Sequence, residues 1–245
     1  MEKRLPLGGG VTIWVNEVHR FGTDAVLLAD FASPRPGEAA CDLGTGCGIL
    51  PLLWCRGAAP ATVTALDIQP DAIALLTRSV AENGLEDRVT PLLADLRQEP
   101  ATLRGKFRLV TMNPPYQTAQ SGAPSPCEGR SLARHEVTCT LSDAADSATR
   151  LLQTGGRFCL CLRPERLADA MESMRRADLE PKRLRLVVPR PGAAPHLFLL
   201  EGQKGARPGG LRIEPIFSLT DAAGADSPEM AAVCREYRQA REENA

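Results

Sequence analysis

Short apolar runs alternate with amphipathic stretches from residue 39 onwards, and this alternation is the feature that most constrains the fold. Strands that alternate with helices are typical of βαβ units, which build a parallel sheet covered by helices. A length of 245 residues fits one such α/β domain with additions. The pattern predicts strands at 39–43, 62–67, 89–94, 107–112 and 157–162, and helices at about 47–56, 70–83, 140–152 and 164–177.

The pattern changes after residue 180. Residues 183–188 and 196–200 have the composition of strands, and the PRPGAAP segment between them is too short for a crossover helix. We therefore expect an antiparallel hairpin at the sheet. The last thirty or so residues are weakly patterned, and we expect a frayed tail there.

Charge, cysteine spacing and hydropathy exclude several classes of protein. A net charge of −1 does not fit a uniformly basic nucleic-acid binder, and no apolar run reaches the length of a membrane-spanning helix. The N-terminus lacks the apolar stretch of a signal peptide. The eight cysteines contain no C-x-x-C spacing, so we interpret them as reduced, mostly buried side chains in a cytoplasmic protein without a metal site.

Residues 113–116 read Asn-Pro-Pro-Tyr and directly follow a predicted buried strand. Two consecutive prolines end the strand, because neither has an N–H group and each fixes φ. The stiff loop holds an amide and an aromatic ring in a fixed relation. The Asn113 oxygen and the Pro114 carbonyl can accept both hydrogens of an amino group, while the Tyr116 ring stacks on its planar carrier. The alternative for Tyr116 is a ring packed under the loop.

A glycine-rich turn follows the first predicted strand. Residues 41–50 read CDLGTGCGIL, and Gly44, Gly46 and Gly48 precede a helical run. Such glycines let the backbone approach a ligand closely and present N–H groups. Ile49 stands where the dinucleotide-binding fingerprint needs its third glycine, so that fingerprint is not satisfied.

Carboxylates end the next two predicted strands. Asp67 is placed to accept both hydroxyls of a ribose, and Asp95 can accept from an adenine amino group. The carboxyl ends of parallel strands form the ligand-binding edge of such sheets. The alternative is that Asp67 and Asp95 only cap the helices that follow them.

Together these motifs resemble the class I S-adenosylmethionine-dependent methyltransferases, in the branch that methylates exocyclic amino groups. The segments HRFGTDAVLLADFA, DLGTGCGILPLL, NPPY, GRFCLCLRPERL and PKRLRLVVPRPGAAPHLFLLEGQKG are similar to the tRNA adenine methyltransferases that modify the adenine beside the anticodon of a valine tRNA. The resemblance implies an α/β, Rossmann-like fold. Its sheet has seven mostly parallel strands, ends in the antiparallel hairpin and carries helices on both faces.

The resemblance also implies an organisation and a set of site residues. We expect an N-terminal extension (1–37) that packs on the core and the cofactor pocket, a methyltransferase domain (38–217) and a C-terminal tail (218–245). S-adenosylmethionine is expected to contact Thr23, Asp24, Asp42, Gly44, Thr45, Gly46, Gly48, Asp67, Ile68, Asp95, Leu96 and Asn113. The catalytic set is Asn113, Pro114, Pro115 and Tyr116, and the substrate-binding set is Tyr116, Arg134, His135, Arg183 and Arg185.

Three of these assignments have alternatives. Thr23 is predicted to cap the apolar helix that follows it. This helix either borders the cofactor pocket or only packs on the core. Residues 175–190 carry six basic side chains against two acidic ones, and they form either a phosphate-contacting face or a solvated surface. Arg134 and His135 lie near the end of a long loop over 114–137, which can be a lid that orders on RNA. His135 can instead be structural.

The expected partner is tRNA, with no membrane and no metal, and the oligomeric state, monomer or dimer, stays open. Other functions also stay open. A protein glutamine methyltransferase uses the same tetrapeptide but usually carries a separate helical N-terminal domain. A guanine-directed ribosomal RNA enzyme generally has a duplicated domain. The last alternative is a cofactor-binding RNA module that has lost catalysis.

Overall fold

A computed structural model describes residues 1–114 and 139–242 of the chain. The helices are α1 (Thr23–Ala32), α2 (Ile49–Trp54), α3 (Pro70–Glu82), α4 (Leu141–Leu151), α5 (Leu167–Arg176) and α6 (Pro228–Glu242). The strands are β1 (Lys3–Gly8), β2 (Val11–Val15), β3 (Ala39–Leu43), β4 (Thr62–Asp67), β5 (Val89–Leu93), β6 (Phe107–Met112), β7 (Leu152–Leu162), β8 (Leu179–Val188), β9 (Leu197–Lys204), β10 (Arg212–Ile213) and β11 (Phe217–Ser218).

The central sheet has the strand order β10-β8-β9-β7-β6-β3-β4-β5, and β11 also pairs with β8. Strands β3 to β7 pair in parallel, while β9 runs antiparallel between β7 and β8. Helices α1, α2, α3 and α6 pack on one face, and α4 and α5 pack on the other. The predicted α/β sheet with its C-terminal hairpin is confirmed, and two-residue strands β10 and β11 extend it beyond seven strands.

Local sequence explains where the helices begin and end. Pro70 opens α3, where its missing N–H group has no helical partner to lose, and Gly84 follows the C-cap Asn83 with a φ of 61°. Thr140 caps α4 through reciprocal hydrogen bonds with Asp143. Both helices lie within two residues of their predicted bounds.

Both ends of the chain form structure that we did not predict. Strands β1 and β2 form an antiparallel hairpin whose Leu7 and Ile13 are fully buried, and β2 packs on α3. Near the C-terminus, α6 packs on β1 and buries Met230 and Cys234. The prediction of a frayed tail is wrong, because one face of this helix belongs to the core.

A part-buried charged cluster holds the C-terminal end of α1 against the sheet. Arg183 Nη2 donates to the Phe31 carbonyl (2.7 Å) and to Glu201 (2.8 Å). Arg157 Nη1 donates to the Ala32 carbonyl (2.9 Å) and to Glu201 (3.3 Å). The last carbonyls of a helix lack partners within it, and cations are favourable at that end. The cluster therefore fixes where α1 lies on the sheet.

The cysteines and the helix hydropathy of the described residues can be compared with the expectations from composition. Their cysteines are free thiols, and all except Cys139 are buried, in agreement with the predicted reduced side chains. Within the described ranges, no helix has the length and apolar character needed to cross a membrane.

Candidate active site

The carboxyl ends of β3, β4 and β6 meet at one edge of the sheet. Leu43 is aligned with Leu66 of β4 and with Met112 of β6, so the chain leaves all three strands side by side. A cavity of about 310 Å³ opens there. The predicted cofactor-binding residues that line it are Asp24, Asp42, Gly44, Thr45, Gly46, Asp67 and Asn113. Thr23, Gly48, Ile68, Asp95 and Leu96 lie outside its lining.

The glycines of the turn after β3 have two different roles. Gly44 and Gly46 have φ of 63° and 56°, in the left-handed region that favours glycine. A Cβ atom on Gly46 would meet nothing within 4 Å, so the turn borders open space that a ligand can fill. A Cβ atom on Gly48 would lie 2.2 Å from Leu76 Cδ1. Gly48 therefore allows the turn before α2 to approach the Leu76 side chain of α3, rather than lining the cavity.

Asp67 holds the glycine turn in place. Its buried carboxylate accepts from Gly46 N through Oδ2 (2.8 Å) and from Gln69 N through Oδ1 (2.9 Å). The N-cap residue of α3 is Gln69, so capping alone does not account for Asp67. A carboxylate that joins the end of β4 to the turn after β3 keeps both walls of the cavity in one arrangement.

Asp42 is a carboxyl group with almost no access to water. It is 2% exposed, and its Oδ1 accepts from Thr111 Oγ1 at 2.6 Å. Burial raises the pKa of Asp42 to about 7, against the hydrogen bond from Thr111, which lowers it. A carboxyl group in this state favours a positively charged ligand, because a nearby cation stabilises its ionised form.

The Asn113 amide is oriented by a residue from the N-terminal extension. Asn113 Nδ2 donates to Asp24 Oδ2 at 2.9 Å. Because a carboxylate only accepts hydrogen bonds, the amide nitrogen faces Asp24 and Oδ1 is directed away from it. Gly22 leaves room for this arrangement, since a Cβ atom there would lie 2.5 Å from Asp24 Oδ1. We predicted that Asp24 borders the cavity, but not that it orients Asn113.

Thr23 and Asp95 differ from their predicted roles. Gly22 is the N-cap of α1 and Thr23 is the first helical residue, so the prediction of a Thr23 cap is wrong. Asp95 accepts from Arg97 N (2.9 Å) as the N-cap of a short 3-10 helix, and the Arg97 guanidinium also pairs with it. These hydrogen bonds from Arg97 lower the pKa of Asp95. The capping alternative therefore accounts for Asp95 in this structure.

Residues 18–22 form a cavity wall to which we had assigned no role. Asn16 Oδ1 accepts from the backbone N of Val18 (2.9 Å) and of His19 (2.6 Å), while Asn16 N donates to the His19 carbonyl (3.1 Å). This turn places Val18, His19, Arg20, Phe21 and Gly22 along the cavity. The sequence signal is Asn16 itself, since asparagine commonly bonds to the backbone two residues later.

Two of the three arginines that we predicted to contact the substrate, Arg183 and Arg185, form ion pairs within the fold. Arg183 belongs to the cluster at the end of α1, where its side chain is 17% exposed. Arg185 donates to Glu229 at 2.6 Å and to the Pro215 carbonyl at 3.0 Å. Nearby, Arg175 pairs with Glu180, so the basic segment is not one free surface. These surroundings do not support substrate contacts by Arg183 or Arg185.

The rest of the predicted catalytic and substrate set falls largely outside the described residues. Pro114 is described and half-buried, directly after Asn113. Pro115, Tyr116, Arg134 and His135 belong to 115–138, which the structure does not describe, so their roles stay predictions.

Comparison with known proteins identifies the family. Residues 19–126 match the family model of the methyltransferase small domain. A protein of Parabacteroides distasonis named tRNA1(Val) (adenine(37)-N6)-methyltransferase is 30% identical over 191 residues, which cover 78% of this chain and 79% of the relative. The chain belongs to this methyltransferase family. A relative of the same name from Bacteroides thetaiotaomicron is 29% identical, over 77% of this chain and 79% of its own length.

A solved structure shares the fold. A predicted O-methyltransferase from Agrobacterium tumefaciens matches with a TM-score of 0.69 and 21% identity, over 87% of this chain and 96% of that chain. The chain is thus an S-adenosylmethionine-dependent methyltransferase, as the sequence motifs predicted.

We expect Asp42→Asn to stabilise the protein without ligand and to weaken S-adenosylmethionine binding. Ionising a buried carboxyl group destabilises the fold, and because the folded pKa of about 7 exceeds the unfolded value, this cost grows as pH rises from about 4 to 7. The variant should therefore raise Tm at pH 8 and leave it unchanged at pH 4. Calorimetric melting at both pH values, with exposed Asp146→Asn as control, tests this. An equal Tm difference at both pH values would contradict it.

Proposed function

We propose that this enzyme transfers the methyl group of S-adenosylmethionine to the exocyclic N6 atom of adenine 37, beside the anticodon of a valine tRNA. The observation that carries the proposal is the Asn113 amide, held by Asp24 at the wall of the cofactor cavity. The substrate comes from the names of the relatives, each a tRNA1(Val) (adenine(37)-N6)-methyltransferase.

The cavity residues fit this cofactor. Asp67 lies at the end of β4, where a carboxylate can accept both hydroxyls of a ribose, and open space borders Gly46. The nearly buried Asp42 favours a cationic ligand because ionisation is costly there without one. When bound, S-adenosylmethionine supplies an electrophilic methyl group on a positively charged sulfur.

Asn113 and Pro114 act on the target nitrogen. The lone pair of an exocyclic adenine nitrogen is delocalised into the ring, which makes the nitrogen a poor nucleophile. The Asn113 oxygen and the Pro114 carbonyl accept its two hydrogens, which favours a pyramidal nitrogen with its lone pair directed into the cavity. Positioning of this kind can supply roughly 7–11 kcal/mol. The proton leaves to solvent after transfer, so a strong base is not required.

Asp24 makes the amide selective for a hydrogen-bond donor. An asparagine side chain can present either its oxygen or its NH₂ group, and the two orientations have similar shapes. The hydrogen bond from Asn113 Nδ2 to Asp24 fixes the orientation in which the oxygen is directed away from α1. An amino group that approaches the amide then meets an acceptor. Asp24 is in this account a positioning residue.

The target adenine must leave its stack before it can reach Asn113. Extrusion of a base costs a few kcal/mol, and less for a base outside a regular duplex. Stacking on an aromatic ring returns about 1–3 kcal/mol per base. We assign this stacking to Tyr116, which directly follows the two prolines.

Gly22→Ala tests the positioning role of Asp24. The added methyl group would displace the Asp24 carboxylate and leave the Asn113 amide without this partner, so we expect kcat to fall about tenfold or more. Tm should change little, because the clashing atom ends a flexible side chain. Gly57→Ala is the matched control, since its Cβ atom would meet nothing within 4 Å. Wild-type kcat in Gly22→Ala would contradict the role.

The substrate is tested with unmodified valine tRNA transcripts and labelled S-adenosylmethionine. Nucleoside mass spectrometry should detect one N6-methyladenosine per transcript. A transcript with guanine at position 37 should stay unlabelled. Ribosomal RNA and a bacterial protein extract serve as competing substrates in parallel reactions. Label in the protein fraction alone would indicate that the enzyme methylates a glutamine amide. Absence of label from both the tRNA and the protein would contradict the proposed function.

A further inference from the structure

The wall formed by residues 18–22 brings a single fixed positive charge to the cavity. Arg20 is exposed and lines the cavity, and it is the only lysine or arginine among the described lining residues. Three carboxyl groups line the same cavity, from Asp24, Asp42 and Asp67. A ligand with an anionic group would be repelled by these three groups and attracted by Arg20.

The proposed cofactor has such an anionic group. S-adenosylmethionine ends in an amino acid, with an α-ammonium and an α-carboxylate group, in addition to its positive sulfur. We propose that Arg20 binds the α-carboxylate and so fixes the amino-acid end of the cofactor; this rests on the proposed function. The acidic residues of the cavity match its positive groups.

The position of Arg20 fits the directions in which the three substituents of the S-adenosylmethionine sulfur extend in the cavity. One substituent leads to the ribose, which the proposed function assigns to Asp67, and a second is the methyl group, which faces Asn113. The third is the methionine chain, which must extend away from both. Residues 18–22 form a cavity wall that neither assignment uses, and Arg20 is the only lysine or arginine among the described lining residues. The methionine chain therefore extends toward Arg20.

The backbone that carries Arg20 is held in place before any ligand binds. Asn16 accepts from two backbone N–H groups of this turn and donates to the His19 carbonyl. On the other side, Gly22 is the N-cap of α1, whose positive N-terminal end also favours an anion. A side chain on a pre-organised turn loses less entropy on binding. A guanidinium group also suits a carboxylate, because its N–H groups can bind both oxygens.

Calorimetric titration of the full chain with two ligands tests this inference. S-adenosylmethionine carries the carboxylate, whereas decarboxylated S-adenosylmethionine keeps the ribose, the sulfonium and the amino group but lacks it. We expect Arg20→Gln to weaken S-adenosylmethionine binding about tenfold or more. Its affinity for the decarboxylated ligand should stay within about twofold of wild type, because no carboxylate is lost. Arg20→Lys should restore part of the affinity.

Arg108→Gln is the matched control, since Arg108 is exposed near the start of β6, whose other end leads to Asn113. It should change neither affinity. Equal weakening of both ligands by Arg20→Gln would overturn the inference. So would unchanged S-adenosylmethionine affinity together with weaker tRNA binding, which would make Arg20 a phosphate contact. A wild-type protein that binds no S-adenosylmethionine would overturn the proposed function itself, and this inference with it.

Discussion

The parallel register of β3, β4 and β6 is the constraint on which the site depends. It brings the glycine turn, Asp67 and Asn113 to one edge of the sheet, although 46 residues separate Asp67 from Asn113 in the sequence. A hydrogen bond from the Gly46 backbone N–H to Asp67 then ties the turn to the end of β4. Because successive residues of a strand point to opposite faces, a slip of one residue would separate these groups.

Helix α1 joins this edge to the rest of the fold. Its first turn supplies Asp24, which orients Asn113, and its last carbonyls accept from Arg157 and Arg183. Glu201 lies between the two arginines and neutralises part of their charge. Arg157 of β7 and Arg183 of β8 thus serve the site from a distance, by fixing the helix that carries Asp24. Catalysis by positioning needs such rigidity, because small displacements of the reacting groups lower the rate steeply.

Features carried by local sequence could be predicted. Alternating apolar runs gave the central strands, and the glycine turn, Asp67 and Asn113 followed them at the expected strand ends. Pairings across long sequence distances could not be predicted. Asp24 and Asn113 are 89 residues apart, and Arg183 bonds to a carbonyl 152 residues away. The same basic composition suits an RNA surface or internal ion pairs, and only the tertiary structure distinguishes them.

Two unpredicted elements did carry signals. In the run VTIWV, which follows three glycines, every second residue is a β-branched apolar one. Glycines followed by such a run are typical of a tight turn and a strand, which indicates the hairpin of β1 and β2. Met230 and Cys234 are four residues apart, as on one face of a helix, which indicates α6. Asp95 is different, because a carboxylate at a strand end can cap a helix or bind a ligand with the same local sequence.

The most direct test of the account compares two quantities in Asn113→Ala: the single-turnover rate of methyl transfer to tRNA and the Kd for S-adenosylmethionine. If the Asn113 amide acts on the target nitrogen, the rate should fall by about a thousandfold, as for the loss of a preorganised polar group in an active site. The Kd should stay within about threefold of wild type, because Asp67 and the glycine turn are unchanged. A rate and an affinity that fall together, or a rate that does not fall, would contradict the assignment of Asn113 as the residue that aims the amino group.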